Sequence, residues 1–188
     1  MGNCMCESLR KEDITIRKLE LADAKSMLEW MLEPDIYKKM QYNPKEQSLE
    51  KCRDFIKESW TDKRNLHYAV TNGTGEYLGT VSLKNIDEKN KNAEFAIALH
   101  PKAMGKGISA AALDAIMEKA FYDLDLNKVY LYVRSDNERA VAFYRKCRLE
   151  YEGCFKEQLY LEGEYKDIYW FALRRSGFES WRNLIDRR

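Results

Sequence analysis

Several things are scarce in this chain, and each scarcity closes off a class of protein. Its 188 residues hold only three prolines and nine glycines, and no Gly/Ser stretch separates one region from another. No domain boundary is drawn, and one domain with a sizeable core is expected. The two histidines, His67 and His100, stand far apart in sequence. The five cysteines, Cys4, Cys6, Cys52, Cys147 and Cys154, are odd in number and miss the CxxC spacing. No metal is therefore expected, and free thiols in a reducing cytoplasm are the simplest account. An excess of one charge is also missing, since 32 basic residues face 31 acidic ones, which argues against a nucleic-acid partner. No run nears the roughly 18 apolar residues of a membrane span. The first eleven residues lack the apolar centre of a secretory signal, so a cytoplasmic location is expected.

What is present describes an ordinary globular chain, 45% hydrophobic and 34% charged, with apolar positions that recur at clear periods. The opening Met1-Gly2-Asn3-Cys4-Met5-Cys6 is similar to a dual-acylation signal. That motif takes Ser or Thr where Cys6 stands, so residues 1–12 read as a flexible leader with incidental cysteines. Ile14 and Ile16 alternate with polar neighbours and predict a strand over 13–18. Leu21, Ala24, Leu28 and Met31 form a helical stripe that ends before Pro34. A second helix is expected over 48–60, with Cys52, Phe55 and Ile56 facing inward.

The period then changes. Residues 67–71, 77–86 and 92–99 read as an antiparallel meander whose first turn is Asn72-Gly73-Thr74-Gly75. Leu113, Ile116, Met117, Ala120, Phe121 and Leu124 mark the buried face of a long helix. A strand is expected over 128–133, and Ser135 with Glu138 has the spacing of a capping box that opens a helix to about Cys147. Strands over 152–159 and 165–173 flank a turn at Glu162-Gly163. The order β-α-α-β-β-β-α-β-α-β-β predicts an α/β fold: a mixed, largely antiparallel sheet of six to seven strands with helices on both faces.

The stretch from His100 through Met104, Gly105, Lys106, Gly107, Ile108 and Ser109 joins a strand to the long helix. Free amides at a helix N-terminus attract an anion, and glycines let a phosphate approach the backbone. Lys106 either adds charge at the rim or is a solvated loop lysine. The stretch is neither a P-loop nor a dinucleotide fingerprint, because GxxxxGK[ST] is absent and residue 110 is alanine. A tight turn before a helix stays open as the plainer reading.

A second stretch follows the next strand: Asn137, Ala140 and Tyr144 meet the pattern N-x-x-A-x-x-x-Y in full. Together the two stretches resemble the GCN5-related N-acetyltransferase (GNAT) family, with the likeness spanning roughly Ile14 to Leu173. The family's pyrophosphate motif Q/R-x-x-G-x-G/A falls on Met104 to Ser109 with Gly107 at its central glycine. Met104 and Ser109 depart from it. Pro101-Lys102-Ala103-Met104-Gly105-Lys106-Gly107 is similar to the P-x-x-W-G-x-G of the branch resembling ribosomal-protein, polyamine and amino-sugar acetyltransferases.

The resemblance implies an acetyltransferase domain over 13–175 with an extension over 176–188, and acetyl-CoA as cosubstrate. Backbone groups at Leu99 would pair with pantetheine. Amides of Met104, Gly105, Lys106, Gly107, Ile108 and Ser109 would hold the diphosphate, and Asn137 would orient the arm. Direct attack of an amine on the thioester, in a ternary complex, needs a proton acceptor and a donor for the departing sulfur. Tyr144 is expected as the donor and Glu94 as the base, with His67 and His100 weaker candidates. Their plainer readings are a core tyrosine and a solvated strand-end carboxylate. No cysteine suggests an acyl-enzyme. The acceptor is expected to be a small-molecule or peptide amine. A nucleotide-linked amino sugar ranks just ahead of a polyamine or a protein N-terminus, because near-neutral charge gives no hint of an acidic pocket. A homodimer, and a non-catalytic CoA-binding or interaction domain on the same fold, are left open.

Overall fold

The computed structural model describes residues 13–34, 46–104, 107–161 and 163–186. The leader expected over 1–12 lies outside the described residues, as do Gly105, Lys106 and Glu162. The strands are β1 (Thr15–Lys18), β2 (Leu66–Thr71), β3 (Tyr77–Asp87), β4 (Asn92–Leu99), β5 (Lys128–Arg134), β6 (Glu150–Leu161) and β7 (Glu164–Arg174). The helices among the described residues are α1 (Asp23–Met31), α2 (Leu49–Ser59), α3 (Ile108–Glu118), α4 (Glu138–Lys146) and α5 (Arg175–Asp186). The strands form one seven-stranded mixed sheet in the order β1-β2-β3-β4-β5-β7-β6. The β1/β2, β5/β7 and β6/β7 pairs are antiparallel and β4/β5 is parallel. The predicted α/β class and the order of elements along the chain hold, with α5 following the last strand.

The chain divides into two compact units. One comprises the described residues of Met1–Asp62, His67–Val81 and Ile97–Ile116; the other comprises Lys63–Leu66, Ser82–Ala96 and Met117–Arg188. In the first, α1 and α2 pack through Leu19, Ala24, Met27, Trp30, Cys52 and Ile56. Ser48 caps α2 by accepting from the Lys51 amide at 3.2 Å. Of the stripe expected on α1, Ala24 is buried and Leu28 and Met31 pack partly buried against the core, but Leu21, just before the helix, is 42% exposed and Asp23, Met27 and Trp30 are buried. The cause is Asp23, which accepts from both terminal nitrogens of Arg17 at 2.7 Å and from the Glu20 amide at 2.9 Å. A carboxylate so well paired can go under, and it turns the helix with it. Trp30 Nε1–H donates to the Tyr77 hydroxyl at 3.3 Å, which lies 2.7 Å from the Thr80 hydroxyl. Burial pushes the Tyr77 phenol up to about 12.

In the second unit, the helical pattern that predicted a buried Leu124 fails at its end. The α-helix α3 gives way to a π turn over Lys119–Asp123, closed by the Leu124 amide on the Lys119 carbonyl at 3.1 Å. The extra residue per turn leaves Leu124 half-buried and brings Leu126 into the core. Helix α4 also departs from expectation. Its cap is Asn137, whose Oδ1 accepts from the Ala140 amide at 3.3 Å, so Ser135 and Glu138 do not form the capping box. Ser135 is held instead by its amide, which donates to the Asp167 carbonyl at 2.9 Å.

One glycine in the first unit carries unusual weight. Gly79, inside β3, has φ +152°, and a Cβ there would lie 2.3 Å from the Ala98 carbonyl oxygen and 2.7 Å from Leu99 Cα. Only a residue without a side chain lets β3 come this close to the end of β4. Gly79→Ala is expected to cost roughly 2–4 kcal/mol, combining backbone strain with overpacking, read as a lower urea midpoint at unchanged slope.

Candidate functional site

The sequence-predicted residues divide between the units: Leu99, Met104, Gly107, Ile108 and Ser109 belong to the first, and Glu94, Asn137 and Tyr144 to the second. In the first, Leu99 is buried at the tip of β4, under the close approach of Gly79. The His100 amide donates to the Leu78 carbonyl at 2.8 Å, which ties that tip to β3. Met104 packs its side chain against the α1–α2 core. An apolar residue where the family motif carries Q or R is thus an anchor for the loop.

Gly107 takes φ +77° and precedes α3. Its carbonyl accepts from the Ala110 and Ala111 amides at 3.0 and 3.1 Å. First-turn amides of a helix have no intrahelical acceptor, and Gly107 has no side chain to cap those of Ile108 and Ser109. Ile108 is buried and fixes the helix start. Gly105 and Lys106 fall outside the described residues. His100 Nδ1 accepts from the Lys102 amide at 3.1 Å, and burial holds the His100 pKa below its ordinary 6.5. A ring kept neutral for a capping role is structural. His67 packs its ring against Phe55 at 4.8 Å.

In the second unit, β4 and β5 are in register at Asn92↔Lys128, Ala93↔Val129 and Glu94↔Tyr130, and the register ends there. Both proton-transfer candidates flank that end. Glu94 is 6% exposed, not the solvated carboxylate that a strand-end position suggests. Its Oε1 accepts from Lys84 Nζ at 2.7 Å and its Oε2 from Asn85 Nδ2 at 2.9 Å. Phe95, the next residue, packs edge-on against Tyr144 at 6.4 Å. Side chains alternate along a strand, so Glu94 and Tyr144 lie on opposite faces of the sheet.

Tyr144 is buried in α4 between Phe95, Phe143 and Phe171. Among the described residues its hydroxyl makes no hydrogen bond, and the oxygen is not sealed from solvent. Burial, with a smaller effect of Cys147, pushes its pKa above the ordinary 10.0, so the hydroxyl keeps its proton. On the Glu94 face, Trp170 stacks on Tyr130 at 5.6 Å and lies near Tyr132 at 5.4 Å and Phe155 at 5.2 Å. Tyr132 and Phe155 are exposed.

Sequence reasoning missed Gly79, Lys84 and Asn85. A glycine inside an alternating strand was the available signal for the first. Nothing local marks Lys84 and Asn85 as partners of Glu94, because the pairing depends on strand register. Among the described residues no cluster of His, Cys, Asp and Glu fit for a metal occurs, and no helix is long and apolar enough to cross a membrane.

The chain matches the family model described as an acetyltransferase (GNAT) domain over residues 13–150. It is 29% identical over 177 residues to a putative ribosomal N-acetyltransferase of Bacillus subtilis, covering 89% of this chain and 94% of that one. It is 27% identical over 122 residues to a spermidine N(1)-acetyltransferase of Vibrio cholerae, covering 65% and 70%. A crystal structure of spermidine N-acetyltransferase from Vibrio cholerae, in complex with CoA and spermine, shares the fold at TM-score 0.81 and 24% identity, covering 89% and 99%.

Lys84→Met leaves the Glu94 carboxylate buried with one donor fewer. Urea unfolding at pH 7 is expected to register a loss of about 1–3 kcal/mol.

Proposed function

This chain belongs to the acetyltransferase (GNAT) family, and from that premise we propose that it transfers acetyl from acetyl-CoA to an aliphatic amine, with Glu94 taking the amine proton and Tyr144 donating a hydrogen bond to the departing sulfur. The N-acetyltransferase class follows from the family and its relatives. One observation carries the residue assignment: the β4–β5 register stops at Glu94↔Tyr130, with the Tyr144 ring packed against Phe95 on one face and the buried Glu94 carboxylate on the other. Backbone groups freed where pairing stops suit the amides of a pantetheine arm. In this reading Leu99 and the amides of Gly107, Ile108 and Ser109, with Met104, Gly105 and Lys106 in the same loop, hold the cofactor. The Asn137 side chain, whose Oδ1 already caps α4, steadies the arm through its NH₂.

The amine nitrogen attacks the thioester carbon, a C–N bond forms, and the C–S bond breaks as the tetrahedral intermediate collapses. The amine proton passes to Glu94 through water. Each carboxylate oxygen accepts one hydrogen bond in the fold and keeps a second lone pair for this. A thiol titrates near about 8.5, far below a buried phenol. Tyr144 therefore stabilises the departing sulfur by donating a hydrogen bond as charge builds, and the thiolate takes its proton from solvent on release.

Among acceptors we place a polyamine first and a ribosomal-protein N-terminus second, ahead of the amino sugar favoured by sequence. Neither relative named above is described as acting on a sugar, and the Tyr130–Trp170–Tyr132 surface on the Glu94 face suits a protonated amine chain through cation–π contact.

The test is thiol release from acetyl-CoA across spermidine, ribosomal N-terminal peptides and nucleotide-linked amino sugars, beside calorimetry with CoA. Turnover of spermidine with measurable CoA binding is expected. CoA binding without turnover of any amine favours a non-catalytic domain, and no heat with CoA overturns the cofactor reading. Tyr144→Phe is expected to lower kcat by at least about 10-fold. A raised phenol pKa keeps the donor protonated as pH rises, so Tyr144 imposes no alkaline loss of wild-type kcat between pH 7 and about 9.5.

A further inference from the structure

The stretch expected as a C-terminal extension forms α5, which buries two aromatic side chains. Phe178 is 1% exposed and Trp181 is 3% exposed. Phe178 packs on Phe121 and Tyr122 of the π turn at 5.0 and 5.5 Å, and Trp181 stacks on Phe178 at 5.7 Å. Arg182 pairs with Glu118 at 2.5 Å, and the Tyr122 hydroxyl donates to Glu179. From this anchorage Trp181 Nε1–H donates to the Cys147 carbonyl at 2.5 Å, a buried bond linking residues 34 apart in sequence.

Cys147 is the C-cap of α4. The last carbonyls of a helix lack intrahelical donors, and a glycine in the left-handed region commonly helps to close such an end. Here Arg148 adopts φ 59° in place of a glycine, and the Leu149 amide returns to the Tyr144 carbonyl at 3.1 Å. Local bonds close part of the end of α4, from the Cys147 amide to the Phe143 carbonyl at 2.8 Å, from Arg148 to Arg145 at 3.0 Å and from Leu149 to Tyr144 at 3.1 Å, and α5 adds the bond to the Cys147 carbonyl. Tyr144 stands one turn before Cys147. The aromatic edges around its ring constrain the ring plane far better than the height of the hydroxyl along the helix axis. That height is set by the main chain of the last turn.

We propose that Trp181 is a positioning residue for acetyl transfer: its indole N–H, bonded to the Cys147 carbonyl, fixes the last turn of α4 and with it the Tyr144 hydroxyl. The proposal rests on Tyr144 being the donor to sulfur. It makes the C-terminal helix part of the catalytic apparatus, although α5 supplies no group to the reaction.

Two replacements isolate the bond. Trp181→Phe keeps a ring and removes the N–H. Incorporating benzothienylalanine at position 181 keeps the two-ring shape and puts sulfur where the N–H was, so it preserves packing if Trp181→Phe folds poorly. Steady-state kinetics of the full chain, with acetyl-CoA and the fastest amine of the panel, would be run on both, on Tyr144→Phe, and on each combined with Tyr144→Phe. Each position-181 replacement is expected to lose about 3- to 10-fold in kcat, with KM for acetyl-CoA within about twofold of wild type. The combined variants should be no slower than Tyr144→Phe alone. If the losses multiply, or if kcat is unchanged at position 181 while Tyr144→Phe is slow, positioning is overturned and the donor role stands. A Tyr144→Phe enzyme as fast as wild type overturns the donor role, and the proposal falls with it.

Discussion

Strand β4 owes its path to a contact that only glycine permits. At Gly79 the backbone of β3 comes so near Ala98 and Leu99 that a single methyl group would overlap a carbonyl oxygen. The His100–Leu78 hydrogen bond locks the same corner. At its other end β4 keeps register with β5 for three residue pairs. In the second unit its register with β5 stops at Glu94↔Tyr130.

Around it, the second unit treats its polar groups in two opposite ways. Glu94 is buried and each of its oxygens accepts one hydrogen bond, from Lys84 and from Asn85. Tyr144 has its ring buried among Phe95, Phe143 and Phe171, while its hydroxyl makes no hydrogen bond among the described residues and is not sealed from solvent. The first unit shows the contrasting case. Tyr77 is as deeply buried, yet Trp30 and Thr80 satisfy its hydroxyl, and no ligand role is called for.

The motif residues were legible because they obey local rules. Asn137 is a cap, Gly107 needs a positive φ, and both stand where a strand hands over to a helix. Departures from expectation arose where a long-range partner overruled local pattern. Asp23 is charged and was not expected inside, but the Arg17 guanidinium lets it replace Leu21 on the buried side of α1. Ser135 and Glu138 have the spacing of a capping box, but Asp167 holds Ser135 in the turn and Asn137 takes the cap. The π turn at Lys119–Asp123 breaks a helical period that the apolar residues follow almost to its end.

The sequence by itself determined the order of elements, the family, and the identity of the helix-start and Asn–Tyr motifs, because periodicity, capping and motif spacing act over a few residues. Only the tertiary structure decided that Glu94 is buried and bonded, that Glu94 and Tyr144 occupy opposite faces, and that the C-terminal helix reaches back to close α4. Those outcomes depend on strand register and on contacts such as Trp181 with Cys147, whose partners are distant in the chain and meet only once the sheet has set its pairing.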